Sequence, residues 1–176
     1  MTGEQERALK ALKQAIQMEI DGKEYYLKAS QRASNELGNQ LLQSLAAEED
    51  IHRKVFEDIF NNISKKRGWP RKEFPADHGR ALRTVFANTI DNMDEDIKSM
   101  PEELDAVKKA MEMENETFDF YREQGKQAVY DAEKQLYEAL AGQEEEHHRV
   151  LLDYYEFLKN PSAWFVQKEH HSLDGG

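Results

Sequence analysis

Shifting this chain by 95 residues lays its second half over its first. Ala11, Lys13, Ala15, Met18, Glu19, Tyr26, Ala33, Gln40, Leu41, Leu45, Ala46, Glu49, His52 and Val55 fall on Ala106, Lys108, Ala110, Met113, Glu114, Tyr121, Ala128, Gln135, Leu136, Leu140, Ala141, Glu144, His147 and Val150. Two copies of one unit that cannot bury its apolar face alone are expected to pack against each other. The repeat also fixes register: His147 matches His52, whereas His148 matches Arg53, a surface-type residue.

Each copy reads as two long helices. Ala, Leu, Glu, Lys and Gln dominate, which favours helix, and period-2 runs bounded by turn residues are absent. The patterns run from about Glu4 to Ala33, about Asn39 to Ile63, about Pro101 to Ala128, and Asp131 to Lys159. "SNELG" (Ser34 to Gly38) and "VYD" (Val129 to Asp131) break the pairs, with Asp131 the expected N-cap. "SMPEE" offers a capping box of Ser99 with Glu102. Links this short imply antiparallel neighbours. The fold class expected is all-α, an antiparallel four-helix bundle spanning residues 1–160. A long crossover over residues 64–100 carries one short helix near Arg80 to Asn92, and a C-terminal tail covers 161–176, docked by Trp164 and Phe165.

Two helices carry acids and imidazoles where apolar residues belong. The second reads Leu42, Leu45, Glu49, His52, Phe56, Ile59, Ile63 at alternating spacings of three and four. The fourth reads Tyr137, Leu140, Glu144, His147, Leu151, Tyr154, Leu158. The first gives Leu9, Leu12, Ile16, Glu19, Lys23, Tyr26 and the third Leu104, Val107, Met111, Glu114, Phe118, Tyr121, with Lys23 fitting only by snorkelling. Glu19 precedes its turn by about as many residues as Glu49 and His52 follow it, so at ~1.5 Å per residue all three return to one level. Glu114, Glu144 and His147 repeat this.

Four ionised carboxylates in a dry core are severely unfavourable without partners. Two divalent cations would neutralise them, and each imidazole adds a nitrogen ligand. Glu-x-x-His places both side chains on one helical face. A Glu from each of two helices plus Glu-x-x-His from each of the other two is the di-iron or di-manganese carboxylate arrangement. Oxygen and nitrogen ligands without sulfur suit iron or manganese, with zinc able to intrude.

On "AIQMEIDGKEYY … LAAEEDIH" and "AMEMENETFDFY … LAGQEEEHH", from Ala8 to about Leu158, the chain resembles the ferritin-like superfamily, and most of all rubrerythrin-family proteins without the rubredoxin domain. The resemblance implies two Fe ions, with Glu49 and Glu144 as bridging carboxylates at the reacting centre, Glu19 and Glu114 as terminal ligands, and His52 and His147 as one ligand per iron. Tyr26 and Tyr121 resemble phenols that hydrogen-bond ligand carboxylates. It further implies reduction of hydrogen peroxide or dioxygen. Two departures stand out. There is no cysteine, so electrons come from an external rubredoxin-like or flavin donor, and Thr117 occupies the place of an additional family glutamate, leaving a set closer to bacterioferritin-type ferroxidase centres. The alternatives are a ferroxidase feeding an iron store and a non-catalytic metal-binding helical protein.

The remaining candidates have plainer readings. Glu48, Glu145 and Glu146 read as solvated flank, Glu112 and Glu116 as exposed with Glu116 a reserve ligand, Glu24 and Asp119 as surface, and Tyr25 and Phe120 as core or interface. His78 lacks partners, and His170 and His171 lie in the tail. A formal charge of −11 argues against nucleic acid and anionic membranes. No apolar window approaches the roughly 18 residues of a membrane span, and "MTGEQERALK" lacks a secretory apolar run. A cytoplasmic protein, with no nucleic-acid or membrane partner, is expected; a homodimer is the assembly the peroxidase reading favours.

Overall fold

A computed structural model describes residues 2–71, 77–93 and 97–166. The tail histidines His170 and His171 and parts of the crossover lie outside the described residues. Among the described residues the helices of three turns or more are α1 (Gly3–Arg32), α2 (Glu36–Ser64), α3 (Arg80–Asp91), α4 (Pro101–Gln127) and α5 (Asp131–Lys159). Helix α1 packs along α2 and α4 along α5, the two hairpins meet through α1 with α4 and α2 with α5, and α3 lies across α2 and α5. This is the all-α bundle with a long crossover that the pattern predicts.

The helix starts follow local chemistry, with two corrections. Thr2 and Gln5 form a reciprocal capping box on α1, and the Asn35 side chain accepts from Gly38 N at 2.8 Å to start α2. Ser99 does not cap α4. Its hydroxyl donates to the Leu158 carbonyl, and α4 starts at Met100 without a side-chain cap, helped by Pro101 at the first helical position. Asp131 is the first residue of α5 rather than its cap, which is Tyr130. An acid there still favours the helix start through the dipole.

Each hairpin turn is clamped by the opposite hairpin. Glu103 of α4 accepts from the Ser34 backbone and hydroxyl, and Tyr154 of α5 donates to Glu103 at 2.6 Å. At the other turn, Glu133 accepts from Arg7 of α1 at 2.7 Å and from Val129 N at 3.2 Å. Both acids are buried and both have their donors.

The buried stripes of α1 and α4 are rotated slightly from the expected seams. Ala8, Ala15 and Gly22 are buried on α1 and Ala110 on α4, while Leu9, Ile16, Leu104, Met111 and Phe118 are only partly covered. Small side chains let paired helices approach closely, and the larger ones pack at the flank. A Cβ on Gly22 would lie 2.9 Å from Glu49 Oε2. Lys23 therefore stands outside the stripe and pairs with Asp50 at 2.7 Å. The start of the tail is itself helical. Residues 161–166 form another helical stretch, with Trp164 tilted against Phe86 and edge-on to Phe157, and Phe165 edge-on to Phe157.

The apolar core is not continuous. One cluster gathers Tyr26, Leu41, Leu45, Val107, Val150 and Tyr154; the other gathers Leu12, Phe56, Ile59, Tyr121, Leu136 and Leu140. Between them lies a polar layer.

Candidate metal centre

Each long helix contributes to that layer at one level. Glu19 comes from α1, Glu49 and His52 from α2, Glu114 from α4, and Glu144 and His147 from α5; none is more than 4% exposed. The structure thus brings together all six residues singled out by the repeat. Their donor atoms form two groups, Glu19/Glu49/His52/Glu144 and Glu49/Glu114/Glu144/His147, each with its atoms within 4.8 Å of one another. Glu49 and Glu144 belong to both.

The imidazoles face this shared centre through Nδ1. His52 Nδ1 lies 3.1 Å from Glu144 Oε1 and 3.4 Å from Glu19 Oε2. His147 Nδ1 lies 3.0 Å from Glu49 Oε1, 3.2 Å from Glu144 Oε2 and 3.6 Å from Glu114 Oε1. The rings are nearly parallel, 9° apart with centroids at 5.6 Å.

Two phenols cross between the hairpins to orient the outer acids. Tyr26 of α1 donates to Glu114 Oε1 of α4, and Tyr121 of α4 donates to Glu19 Oε1 of α1. Each outer carboxylate is left with one bound oxygen and one free. Glu19 Oε2, Glu49 Oε1, Glu114 Oε2, both oxygens of Glu144 and Nδ1 of each histidine have no aligned hydrogen-bond partner among the described residues. The other buried acids, Glu103 and Glu133, have theirs. Orphaned buried donors and acceptors are rare and demand an explanation; seven of the nine among the described residues belong to this one layer, the others being Arg7 Nη1 and Tyr137 Oη.

The electrostatics agree. Burial, then the charges of Glu19 and Glu114, push the Glu49 carboxyl well above its ordinary range. Burial and the charge of Glu144 raise Glu114 to about 7. Burial alone would lower His52 and His147, but the surrounding carboxylates outweigh it and raise both. The donor set is all oxygen and nitrogen, with two acids common to both groups, and it fits a pair of divalent metal ions.

The outer ring nitrogens are also held. His52 Nε2 lies 2.6 Å from Gln143 Oε1, and His147 Nε2 lies 2.7 Å from Glu48 Oε2. Glu48 is therefore not solvated flank: it is half-buried and reaches across from α2 to α5. A signal was present, because Glu48 and Gln143 are repeat mates and each immediately precedes a candidate ligand. Beyond them opens a cleft of about 290 Å³ lined in part by Asp77, His78, Gly142 and Glu145.

Other candidates stay out of the centre. Glu112, Glu116, Glu24 and Asp119 are exposed. The Thr117 hydroxyl is turned to the Met113 carbonyl of its own helix at 3.0 Å. Glu145 and Glu146 pair with Arg149, and Glu146 also with Arg83. Tyr25 bridges the hairpins by donating to the Ala106 carbonyl at 2.7 Å, and Phe120 packs on Tyr121. Among the described residues no helix is long and apolar enough to cross a membrane.

No curated protein and no solved structure matches the chain. A family model does: the one described as Rubrerythrin covers residues 10–155, both hairpins and every residue of the polar layer. With that match over most of its length, the chain belongs to the rubrerythrin family, and its buried acid and histidine cluster fits a di-iron protein.

Proposed function

We propose that Glu19, Glu49, His52, Glu114, Glu144 and His147 hold two iron ions, and that the protein reduces hydrogen peroxide or dioxygen with electrons from a separate rubredoxin-like or flavin donor. The observation that carries this reading is the sharing of Glu49 and Glu144 by both donor groups. Glu49 and Glu144 would be common to both metal positions, while Glu19 and Glu114 would each serve one. When bound, the ions supply one electron each, enough for H₂O₂ + 2e⁻ + 2H⁺ → 2H₂O.

The chain supplies everything around that chemistry. Tyr26 and Tyr121 fix the rotamers of Glu114 and Glu19, so that one oxygen of each is aimed inward. Glu48 and Gln143 hold the histidine rings with Nδ1 facing the centre. The two apolar clusters exclude water above and below, which strengthens every charge interaction between them. These residues include no cysteine to hold a rubredoxin-type iron, which is why the proposed donor is placed outside them.

A ferroxidase using Fe(II) itself as substrate is the second reading. The acid-lined cleft outside Glu48, with Asp77, Glu138, Glu145 and Glu146 at its walls, favours it. One experiment separates the two. Protein loaded anaerobically with Fe(II) is mixed with peroxide, then re-reduced and challenged again, while its size is measured. Repeated peroxide turnover by a dimer with two retained irons per chain supports the peroxidase. Mineral accumulation in a large hollow shell supports the store, and no peroxide-dependent absorbance change removes both.

A further inference from the structure

The ligands and phenols of the two halves are matched in type, but the groups behind the histidines are not. Under the repeat, Glu19 pairs with Glu114, Glu49 with Glu144, His52 with His147 and Tyr26 with Tyr121, the same residue type each time. The groups on the outer ring nitrogens differ. His147 Nε2 meets a carboxylate, Glu48 Oε2, at 2.7 Å, whereas His52 Nε2 meets an amide oxygen, Gln143 Oε1, at 2.6 Å. Both acceptors require Nε2–H and leave Nδ1 as the lone-pair nitrogen toward the centre, so the tautomer is the same on both sides. The strength of the hydrogen bond is not. A charge-assisted bond to carboxylate is roughly twice as strong as one to a neutral acceptor, and it makes the imidazole a more basic ligand.

We infer that Glu48 is a positioning residue that makes the two metal positions unequal, the His147 position binding its cation before the His52 position. This rests on the proposed reading that the six residues hold two cations. The pseudo-twofold arrangement supplies its own control, because exchanging the two side chains by Glu48→Gln with Gln143→Glu keeps composition and net charge while moving the carboxylate from one histidine to the other. Mutual repulsion of two cations also separates stepwise constants, so the decisive quantity is which histidine fills first.

The test uses Zn(II) as the probe, with calorimetry for the stepwise constants and histidine ¹⁵N NMR at one equivalent for the order of filling. Expected for the parent are two ions per chain, with His147 Nδ1 taking on the coordinated shift before His52. Glu48→Gln lowers the affinity for the first ion about tenfold or more, the range set by loss of such partners, and removes the preference between histidines. The exchanged variant regains the parent's first constant and fills His52 first. Two ions bound with both histidines filling together in the parent, or an order unchanged by the exchange, overturns the inference while leaving the proposed centre standing. Failure of the parent to bind two ions overturns the centre and the inference with it.

Discussion

Glu114→Gln tests whether the polar layer is a metal site built at the expense of the metal-free fold. Burial and the charge of Glu144 raise Glu114 from 4.5 to about 7. Below 4.5 the group is protonated in both folded and unfolded chains and carries no penalty. Between 4.5 and 7 the unfolded chain releases the proton that the folded chain keeps, so stability falls as pH rises. Above 7 the loss is complete. The difference of about 2.5 units at 1.36 kcal/mol each is about 3 kcal/mol. The raised histidines act in the same direction, since their stabilisation is lost as pH rises through their folded pKa. Gln keeps an oxygen for the Tyr26 hydroxyl and has no charge to bury. Metal-stripped Glu114→Gln at pH 8 should therefore be more stable than the parent by up to about 3 kcal/mol, roughly 6–12 °C in Tm for a chain of this size. The metal-loaded variant should be less stable than the loaded parent, having lost the free Oε2 ligand. Urea melts at pH 5 and pH 8, with and without Mn(II), read all of this. A stripped variant no more stable than the stripped parent at pH 8, or a parent indifferent to pH over 4.5–7, would refute the reasoning.

Two glycines yield separate predictions. Gly22→Ala places a Cβ 2.9 Å from Glu49 Oε2. That carboxylate end can swing aside, so circular dichroism should show an intact fold while affinity for two metal ions falls about tenfold or more; parent-like affinity would show that Glu49 is not held there by the close approach of α1. Gly38→Ala places a Cβ 2.0 Å from Tyr154 Oη, on a ring pinned by Glu103 and Asn35. Denaturant unfolding should show a loss of about 1–3 kcal/mol, partly restored by adding Tyr154→Phe. A neutral Gly38→Ala would mean the turn is looser than the hydrogen bonds indicate.

What the sequence disclosed, it disclosed through repetition. His147 and His148 are indistinguishable by local pattern, yet alignment to His52 selects His147, which is buried, while His148 is partly exposed. Features without a repeat mate stayed hidden. Glu103 and Glu133 are buried, but Ala8 and Gly38 occupy their matching positions, and nothing local marks an acid that will meet a donor from a distant helix. Glu48 escaped for another reason. Its helix spacing puts it beside the ligand stripe, and only the meeting of the two hairpins turns that flank of α2 toward His147 on α5. The caps at Ser99 and Asp131 failed because tertiary partners and the exact chain entry decide them. Leu158 captures the Ser99 hydroxyl, and Tyr130 sets where α5 begins.

A pair of cations sharing Glu49 and Glu144 is the defining property of the proposed centre. Anaerobic Fe(II) titration of the parent, Glu49→Ala and Glu144→Ala measures this directly. Uptake of two irons per chain in the parent, lost in both variants while the helices persist, is the predicted result; uptake unchanged by either substitution would contradict it.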